Sequence, residues 1–307
     1  MADGMNGNGP SPTGGFRSGF VLILGAPNVG KSTLLNHVLG EKISITSKKA
    51  QTTRNRVLGV LHRPGTQFVF LDTPGVHRAE KELNVRMVDV ALGALSDADL
   101  ILFMLDLAHP DPESEALVAR RLERREKPVV LALNKVDAVA KERVLPVIDR
   151  WRAAHDFAAV VPVSAKTGVQ LDVLLDEMAA LLPEGPPYFP EDAITDMPER
   201  FIVAEMVREK VFRLTGQEIP YAAAVTVDAF DESDPSLIRI DATIHVERDS
   251  QKGMVIGKGG KKLRQIGEAA REDVQRMLGT RVFLKLFVRV QKNWSRDTKA
   301  LRRFGYE

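Results

Sequence analysis

The residues Gly25-Ala26-Pro27-Asn28-Val29-Gly30-Lys31-Ser32 satisfy the spacing G-x-x-x-x-G-K-[ST] without a mismatch. An apolar run, Phe20 to Leu24, precedes them, and a helical pattern, Ser32 to Leu39, follows. A strand, a glycine-rich loop and a helix in that order make a cradle for phosphate. The backbone N–H groups of such a loop converge on phosphate oxygens, and the helix N-terminus adds positive potential. Lys31 reaches the β- and γ-phosphates, and the Ser32 hydroxyl binds Mg²⁺. The ligand expected from this stretch is a nucleoside triphosphate.

Three later segments supply the rest of a site, each at the end of an expected strand. Gln67–Leu71 delivers Asp72-Thr73-Pro74-Gly75. The Asp72 carboxylate suits a water-mediated Mg²⁺ contact, and Gly75, lacking a side chain, can bring its N–H to the γ-phosphate. Pro128–Leu133 ends in Asn134-Lys135-Val136-Asp137. Guanine presents N1–H and an amino group side by side, and one carboxylate, Asp137, accepts both. Adenine offers no such pair and would leave that carboxylate unpaired. The Lys135 stem can lie over the base. Ala159–Val163 leads into Ser164-Ala165-Lys166, where the Ala165 N–H is expected to meet the guanine O6. GTP, GDP and Mg²⁺ are therefore the expected ligands.

Between the phosphate loop and DTPG lies a polar, basic stretch, Ser47–Val57. A loop of this kind suits a switch that orders around the γ-phosphate and the metal, with Thr52 or Thr53 as a second hydroxyl ligand. Val76 stands where Ras-like enzymes carry a water-orienting Gln, and it cannot hydrogen-bond water, so slow hydrolysis is expected. The four motifs together resemble the translation-factor-related class of small GTPases.

The elements that must position these residues fall into two units within 307 residues. No apolar run is long enough to span a bilayer. The absence of cysteine excludes disulfides, thiolate metal sites and Cys nucleophiles, which agrees with a cytoplasmic protein. Six scattered His residues have no metal-ligand spacing. Met1–Ser18, rich in Gly, Asn and Pro, reads as a disordered extension. The net charge of +2 hides an asymmetry: Gln251–Arg303 holds 15 Lys/Arg against 4 Asp/Glu, a local +11. Such a segment implies an anionic partner.

A Pro- and acid-rich stretch, residues 185–198, reads as a linker between a nucleotide domain at 19–184 and a second domain at 199–307. Phe201–Leu214 has helical spacing, and Tyr221–Ala229 and Leu237–Val246 read as strands. Gly253-Met254-Val255-Ile256-Gly257-Lys258-Gly259-Gly260 then runs into a basic helix, Lys261–Leu278, and Thr280–Val290 is a last strand. A helix–GxxG–helix within an α/β unit looks like a KH domain of the bacterial type. Gly257, Gly259 and Gly260 admit an RNA backbone closely. Lys258, Lys261 and Lys262 meet phosphates, and Ile256 floors a site for single-stranded bases. Trp294 and Phe304 are expected in core or interdomain contacts rather than in base stacking.

A GTPase domain followed by a KH domain resembles the Era family of bacterial GTPases over nearly the whole chain after Ser18. KISITSKKAQTTR (Lys42–Arg54), DTPGVH, NKVD, SAKTG and VIGKGG carry the resemblance. It implies an α/β P-loop GTPase domain with a mixed, mostly parallel sheet, followed by a smaller α+β type II KH domain. The nucleotide site it implies takes in Gly25, Asn28, Val29, Gly30, Lys31, Ser32 and Thr33. It also takes in Asn134, Lys135, Asp137, Ser164, Ala165 and Lys166. The catalytic set is Lys31, Thr53, Asp72 and Gly75, and the TTR pattern favours Thr53 over Thr52. By the same resemblance Asn28 helps hold K⁺ near the β- and γ-phosphates. The implied partners are 16S ribosomal RNA near its 3′ end and the 30S subunit during maturation. Loose inner-membrane association of a monomer is also implied. Two other readings compete. One is an RNA chaperone whose GTP site only regulates RNA affinity. The other is a tRNA- or membrane-linked GTPase, against which the KH signature argues.

Overall fold

A computed structural model of the chain describes residues 15–47, 52–76, 93–123, 127–216 and 219–305. The first sheet holds β1 (Arg17–Gly25), β2 (Val57–Arg63), β3 (Thr66–Asp72), β4 (Leu100–Asp106), β5 (Val129–Asn134) and β6 (Ala159–Pro162), in the order β2-β3-β1-β4-β5-β6. All neighbours pair in parallel except β2 and β3. The central strands are apolar at nearly every position because both faces are covered, as parallel sheets require. Helices α1 (Lys31–Leu39) and α4 (Leu171–Leu181) pack on one face; α2 (Pro112–Leu122) and α3 (Val144–Ala154) pack on the other.

The register aligns the strand ends. Ile23 pairs with Asp72, Gly25 with Met104, and Asp106 with Asn134. The phosphate loop, DTPG and NKVD thus leave the same carboxyl edge of the sheet, on either side of β1, where the strand order reverses. In open α/β sheets, that crevice is where ligands bind.

β1 starts inside the segment that composition marks as disordered. Arg17 and Ser18 pair with Thr66 and Gln67, and the Ser18 N–H donates to the Pro183 carbonyl at 3.1 Å. Pairing partners distant in sequence override a local composition that is poor in apolar residues. Residues 1–14 of that segment lie outside the described residues, as do 48–51 of the expected switch and His77 of DTPGVH.

The segment 185–198 has no helix or strand, yet it is tied down. The buried Gln67 amide oxygen accepts from the Tyr188 N–H at 2.7 Å, and its amide nitrogen donates to the Phe189 carbonyl at 2.8 Å. Val60 N–H donates to the Ile194 carbonyl at 2.7 Å, and the Thr195 hydroxyl donates to the Leu58 carbonyl at 2.6 Å. The connection therefore covers the antiparallel edge of the sheet, which would otherwise expose unpaired backbone groups.

The second unit comprises α5 (Glu199–Leu214), β7 (Ala224–Asp231), β8 (Leu237–Val246), α6 (Asp249–Ile256), α7 (Lys261–Leu278), β9 (Arg281–Val290) and α8 (Thr298–Arg303). Its sheet runs β7-β8-β9, antiparallel then parallel. Ile266, Ala270 and Val274, four residues apart, form the buried stripe of α7, and its basic residues lie on other faces. Tyr221 and Ala222, read from sequence as the start of a strand, belong instead to a short helical turn, Ile219–Ala222.

Helix α5 also grips the first unit. The Arg208 guanidinium is buried and donates to the Thr52 carbonyl at 2.6 Å. Buried Glu209 accepts from the Thr46 N–H at 2.9 Å and pairs with Lys42. Asp273 of α7 pairs with both Lys42 and Lys210. In return Arg54 reaches into the second unit, donates to the Ala223 carbonyl at 3.0 Å, and lies over the Phe212 and Trp294 rings. Trp294 is fully buried, donates to the Ala222 carbonyl and packs with Ala224, Leu301 and Phe304, so with Phe304 it belongs to the core of the second unit, one of the two places expected for it.

Burial opposes ionisation of Glu209, but the Lys42 and Thr46 hydrogen bonds outweigh it and hold its pKa below 4.5. Burial likewise opposes ionisation of Asp273, but Lys210 and Lys42 bring it down from 3.8 to about 2. Groups depressed in the folded state bind fewer protons there than when unfolded, so their contribution is complete above their ordinary values and lost as the pH falls through the folded ones. Urea unfolding should show stability falling from about pH 5 to about pH 2. Asp273→Asn should flatten that dependence, and an unchanged slope would exclude this cluster as its source. Glu209→Ala removes one of the two carboxylates shared by Lys42 and Lys210 and leaves the Thr46 N–H without its acceptor, and should cost about 1–3 kcal/mol.

Candidate functional site

The phosphate loop connects β1 to α1, and the side chains expected to serve it meet at one buried point. The Ser32 hydroxyl donates to Asp72 Oδ2 at 2.7 Å. Thr53 Oγ1 lies 3.0 Å from Ser32 Oγ. Ser44 Oγ, from the segment after α1, donates to the same Asp72 oxygen at 2.9 Å. The three residues assigned to Mg²⁺ by sequence thus come together from α1, the switch segment and β3. Ser44 was missed: it lies within the quoted KISITSKKAQTTR stretch, but no spacing rule singles out that hydroxyl.

Lys31 is buried, and its ammonium donates to the Gly25 and Ala26 carbonyls at 3.0 Å each. Burial lowers its pKa from 10.5 to about 8, against the opposing pull of Asp72. Burial raises Asp72, with Lys31, Ser32 and Ser44 opposing. Asp72 Oδ1 has no hydrogen-bond partner among the described residues. A buried carboxylate oxygen without a partner, beside hydroxyls and an ammonium, matches the donor set of a hard divalent cation with phosphate. The residues present therefore fit Mg²⁺ and a polyphosphate.

The cavity at this point is lined by Asn28, Gly30, Lys31, Ser32, Thr33, Thr53 and Gly75, with Val29 buried behind the loop. Asn28 is exposed in a left-handed conformation, φ 65°, at the loop's turn. Gly75 approaches the loop closely, since a Cβ there would lie 2.6 Å from the Pro27 backbone. Val76 is buried in the core beneath, so its side chain does not face the cavity.

The base-side motifs are arranged as follows. The fully buried Ser164 donates to Asp137 Oδ1 at 2.6 Å and holds that exposed carboxylate in place. Lys135, left-handed at φ 69°, pairs with Asp106 at 2.5 Å. Asp106 was missed by sequence reasoning, although it stands at the end of an apolar strand just as Asp72 does. Asn134 donates to the Val29 carbonyl at 2.7 Å and accepts from the Ala165 N–H at 2.9 Å. The Ala165 N–H, expected at the guanine O6, is donated here to Asn134. Asn134 staples the phosphate loop to the Ser164–Lys166 loop, with Lys166 exposed at its rim.

In the second unit, Gly257, Gly259 and Gly260 all have positive φ, between 58° and 76°, and join α6 to α7. A Cβ on Gly257 would lie 2.6 Å from Lys262 Cβ. Lys258 and Lys261 are exposed, and Ile256 and Lys262 are partly buried. The loop therefore offers bare backbone and ammonium groups together at the N-terminus of α7.

A family model described as a 50S ribosome-binding GTPase matches residues 20–135, and a KH domain model matches residues 218–295. The GTPase Era of Geotalea uraniireducens is 53% identical over 292 residues, covering 95% of this chain and 98% of that one. That of Staphylococcus haemolyticus is 46% identical, covering 94% and 97%. Two solved structures superpose along nearly the full length. Aquifex aeolicus Era, as a variant bound to GDP and aluminium fluoride, gives a TM-score of 0.90 at 43% identity, covering 94% of this chain and 99% of that one. Era in complex with MgGDPNP and nucleotides 1506–1542 of 16S ribosomal RNA gives 0.91 at 42% identity, covering 95% and 99%. With both halves matched in order and at this identity, the chain belongs to the Era family of GTPases.

Proposed function

We propose that this GTPase acts as a switch that binds small-subunit ribosomal RNA near its 3′ end and assists 30S maturation. The observation that carries the switch is the meeting of Ser32, Ser44 and Thr53 hydroxyls on the buried Asp72, beside Lys31. In this reading Ser32 and Thr53 hold Mg²⁺, Asp72 acts through water, and Lys31 and the Gly75 backbone bind the phosphates. When bound, Mg²⁺ neutralises charge that develops on the phosphates during transfer. Asp137, oriented by Ser164, reads guanine, and Lys135, tethered by Asp106, covers it. Asn28 holds K⁺. The first domain begins with β1 at Arg17, two residues before the expected 19, and runs to 184; the second is 199–307, with 185–198 between them.

RNA binding is supported by the Gly257–Gly260 loop and by the Era–ribosomal RNA complex that this chain resembles at 42% identity. The reading also makes the protein a cytoplasmic monomer with peripheral inner-membrane contact. Among the described residues no helix is long and apolar enough to cross a membrane.

Asp137→Asn should lose two charge-assisted hydrogen bonds to guanine, at least about 3 kcal/mol or roughly a hundredfold in GTP affinity. It should gain affinity for xanthosine triphosphate, and a variant that still prefers GTP strongly would remove Asp137 as the reader. Hydrolysis should be slow, dependent on Mg²⁺ and faster in K⁺ than in Na⁺. Equal rates in the two salts would remove K⁺, and wild-type turnover in Ser32→Ala or Thr53→Ala would remove those ligands. Gly257→Asp should abolish RNA binding while GTP binding persists, because it adds a side chain and a negative charge where phosphate approaches. Filter binding by the folded variant at wild-type affinity would sink the assignment of this loop to RNA.

A further inference from the structure

The outer face of β9 has a pattern that neither the nucleotide site nor the GKGG loop uses. Val282, Leu284, Leu286, Val288 and Val290 face the helices. Arg281, Phe283, Lys285, Phe287 and Arg289 alternate with them and face outward. The two rings are 51% and 43% exposed, and Lys285 Nζ lies 4.9 Å from the Phe287 ring centroid. Burying these rings would release apolar area from water, yet the fold leaves them out, which marks a surface kept for a partner.

The chemistry of the strand narrows that partner. Cation, ring, cation, ring and cation follow one another over about 26 Å of strand. β9 also ends its sheet, so its outer edge has no neighbouring strand among the described residues. In register on β8, Arg239 stands opposite Phe283 and the Asp241 carboxylate opposite Lys285. A partner for this face is anionic at regular intervals and flat between them. Single-stranded RNA has that form: bases stack on exposed rings and phosphates meet the cations, whereas duplex bases are closed off. The stripe is also continuous with the GKGG loop, because Gly260, Arg264, Glu268, Arg271, Phe283 and Lys285 line one groove between α7 and the β9 edge, where three cations stand against the Glu268 carboxylate.

We infer that the outer face of β9 is a second platform for single-stranded RNA, on which Phe283 and Phe287 each stack a base while Arg281, Lys285 and Arg289 meet phosphates. It extends the strand held at the GKGG loop, and in that respect it rests on the RNA-binding reading of that loop. The two rings are about 13 Å apart along the strand, so they take different bases.

The test uses the full chain and 5-iodouridine-labelled oligouridylates of about five and about twelve nucleotides, within the span that such modules bind. Phe283→Ala with Phe287→Ala changes exposed positions and should leave GTP binding intact. Short-strand affinity should be unchanged, and long-strand affinity should fall roughly tenfold or more, as expected for loss of stacked bases. Photocrosslinks from the long strand should map to β9. Lys285→Ala should lower the log–log salt slope for the long strand by about 0.7. Unchanged long-strand affinity in the double variant overturns the proposal, as do crosslinks confined to the loop. Retained RNA binding with lost sedimentation on phosphatidylglycerol vesicles also overturns it and makes the face a lipid surface. Gly257→Asp, measured on the short strand, reports separately on the loop, so failure of one reading is not failure of the other.

Discussion

Two opposite charges are buried at the foot of the phosphate loop, and much of the molecule is arranged to make that tolerable. A carboxylate or ammonium loses several kcal/mol of hydration on burial unless it is paired and hydrogen-bonded. Lys31 is held by two loop carbonyls, and Asp72 by two hydroxyls from different segments. Burial still displaces both groups from their ordinary ionisation, Lys31 downward and Asp72 upward. A site with these preferences favours a ligand that carries both signs, an anionic polyphosphate with its cation. The same requirement fixes where β1, β3, α1 and the segment after α1 must sit relative to one another.

The switch segment extends that arrangement across the molecule. Thr53 faces Ser32, the Thr52 carbonyl accepts from Arg208, and Arg54 lies among Ala223, Phe212 and Trp294. Three consecutive residues therefore touch the Ser32 hydroxyl, helix α5 and the core of the second domain. Whatever moves Thr53 must also move the contacts on either side of it. The Glu209–Lys42–Asp273 cluster adds a second set of interdomain contacts, built from charges whose geometry is good enough to outweigh their desolvation.

The four nucleotide motifs and the VIGKGG loop were legible in the sequence because each is a short run of residues whose chemistry depends on local spacing. The apolar strands before them were equally legible, since a strand covered on both faces must be apolar throughout. The helix over Lys261–Leu278 and the strand over Leu237–Val246 have the bounds that periodicity predicts. Where local signals misled, tertiary partners were the cause. Arg17 and Ser18 look disordered by composition but pair with β3, and the Pro-rich linker lacks periodicity but finds donors and acceptors in Gln67, Val60 and Leu58.

The chemistry available to this protein is already present in its order of residues. A lysine, hydroxyls and carboxylates stand at spacings that suit a phosphate, a guanine and a metal, and glycines and lysines stand at spacings that suit an RNA backbone. Which of these groups meet was settled by packing. Ser44 became a partner of Asp72, Asn134 took the Ala165 N–H, and Asp106 anchored Lys135. Arg208 reached the switch from a helix 156 positions further along the chain. The physical reason is that hydrogen bonds and ion pairs act over about 3 Å in space, whereas sequence patterns report only neighbours within a few turns or a strand length. A buried donor must find an acceptor wherever the packed chain brings one, and that choice is made by the fold.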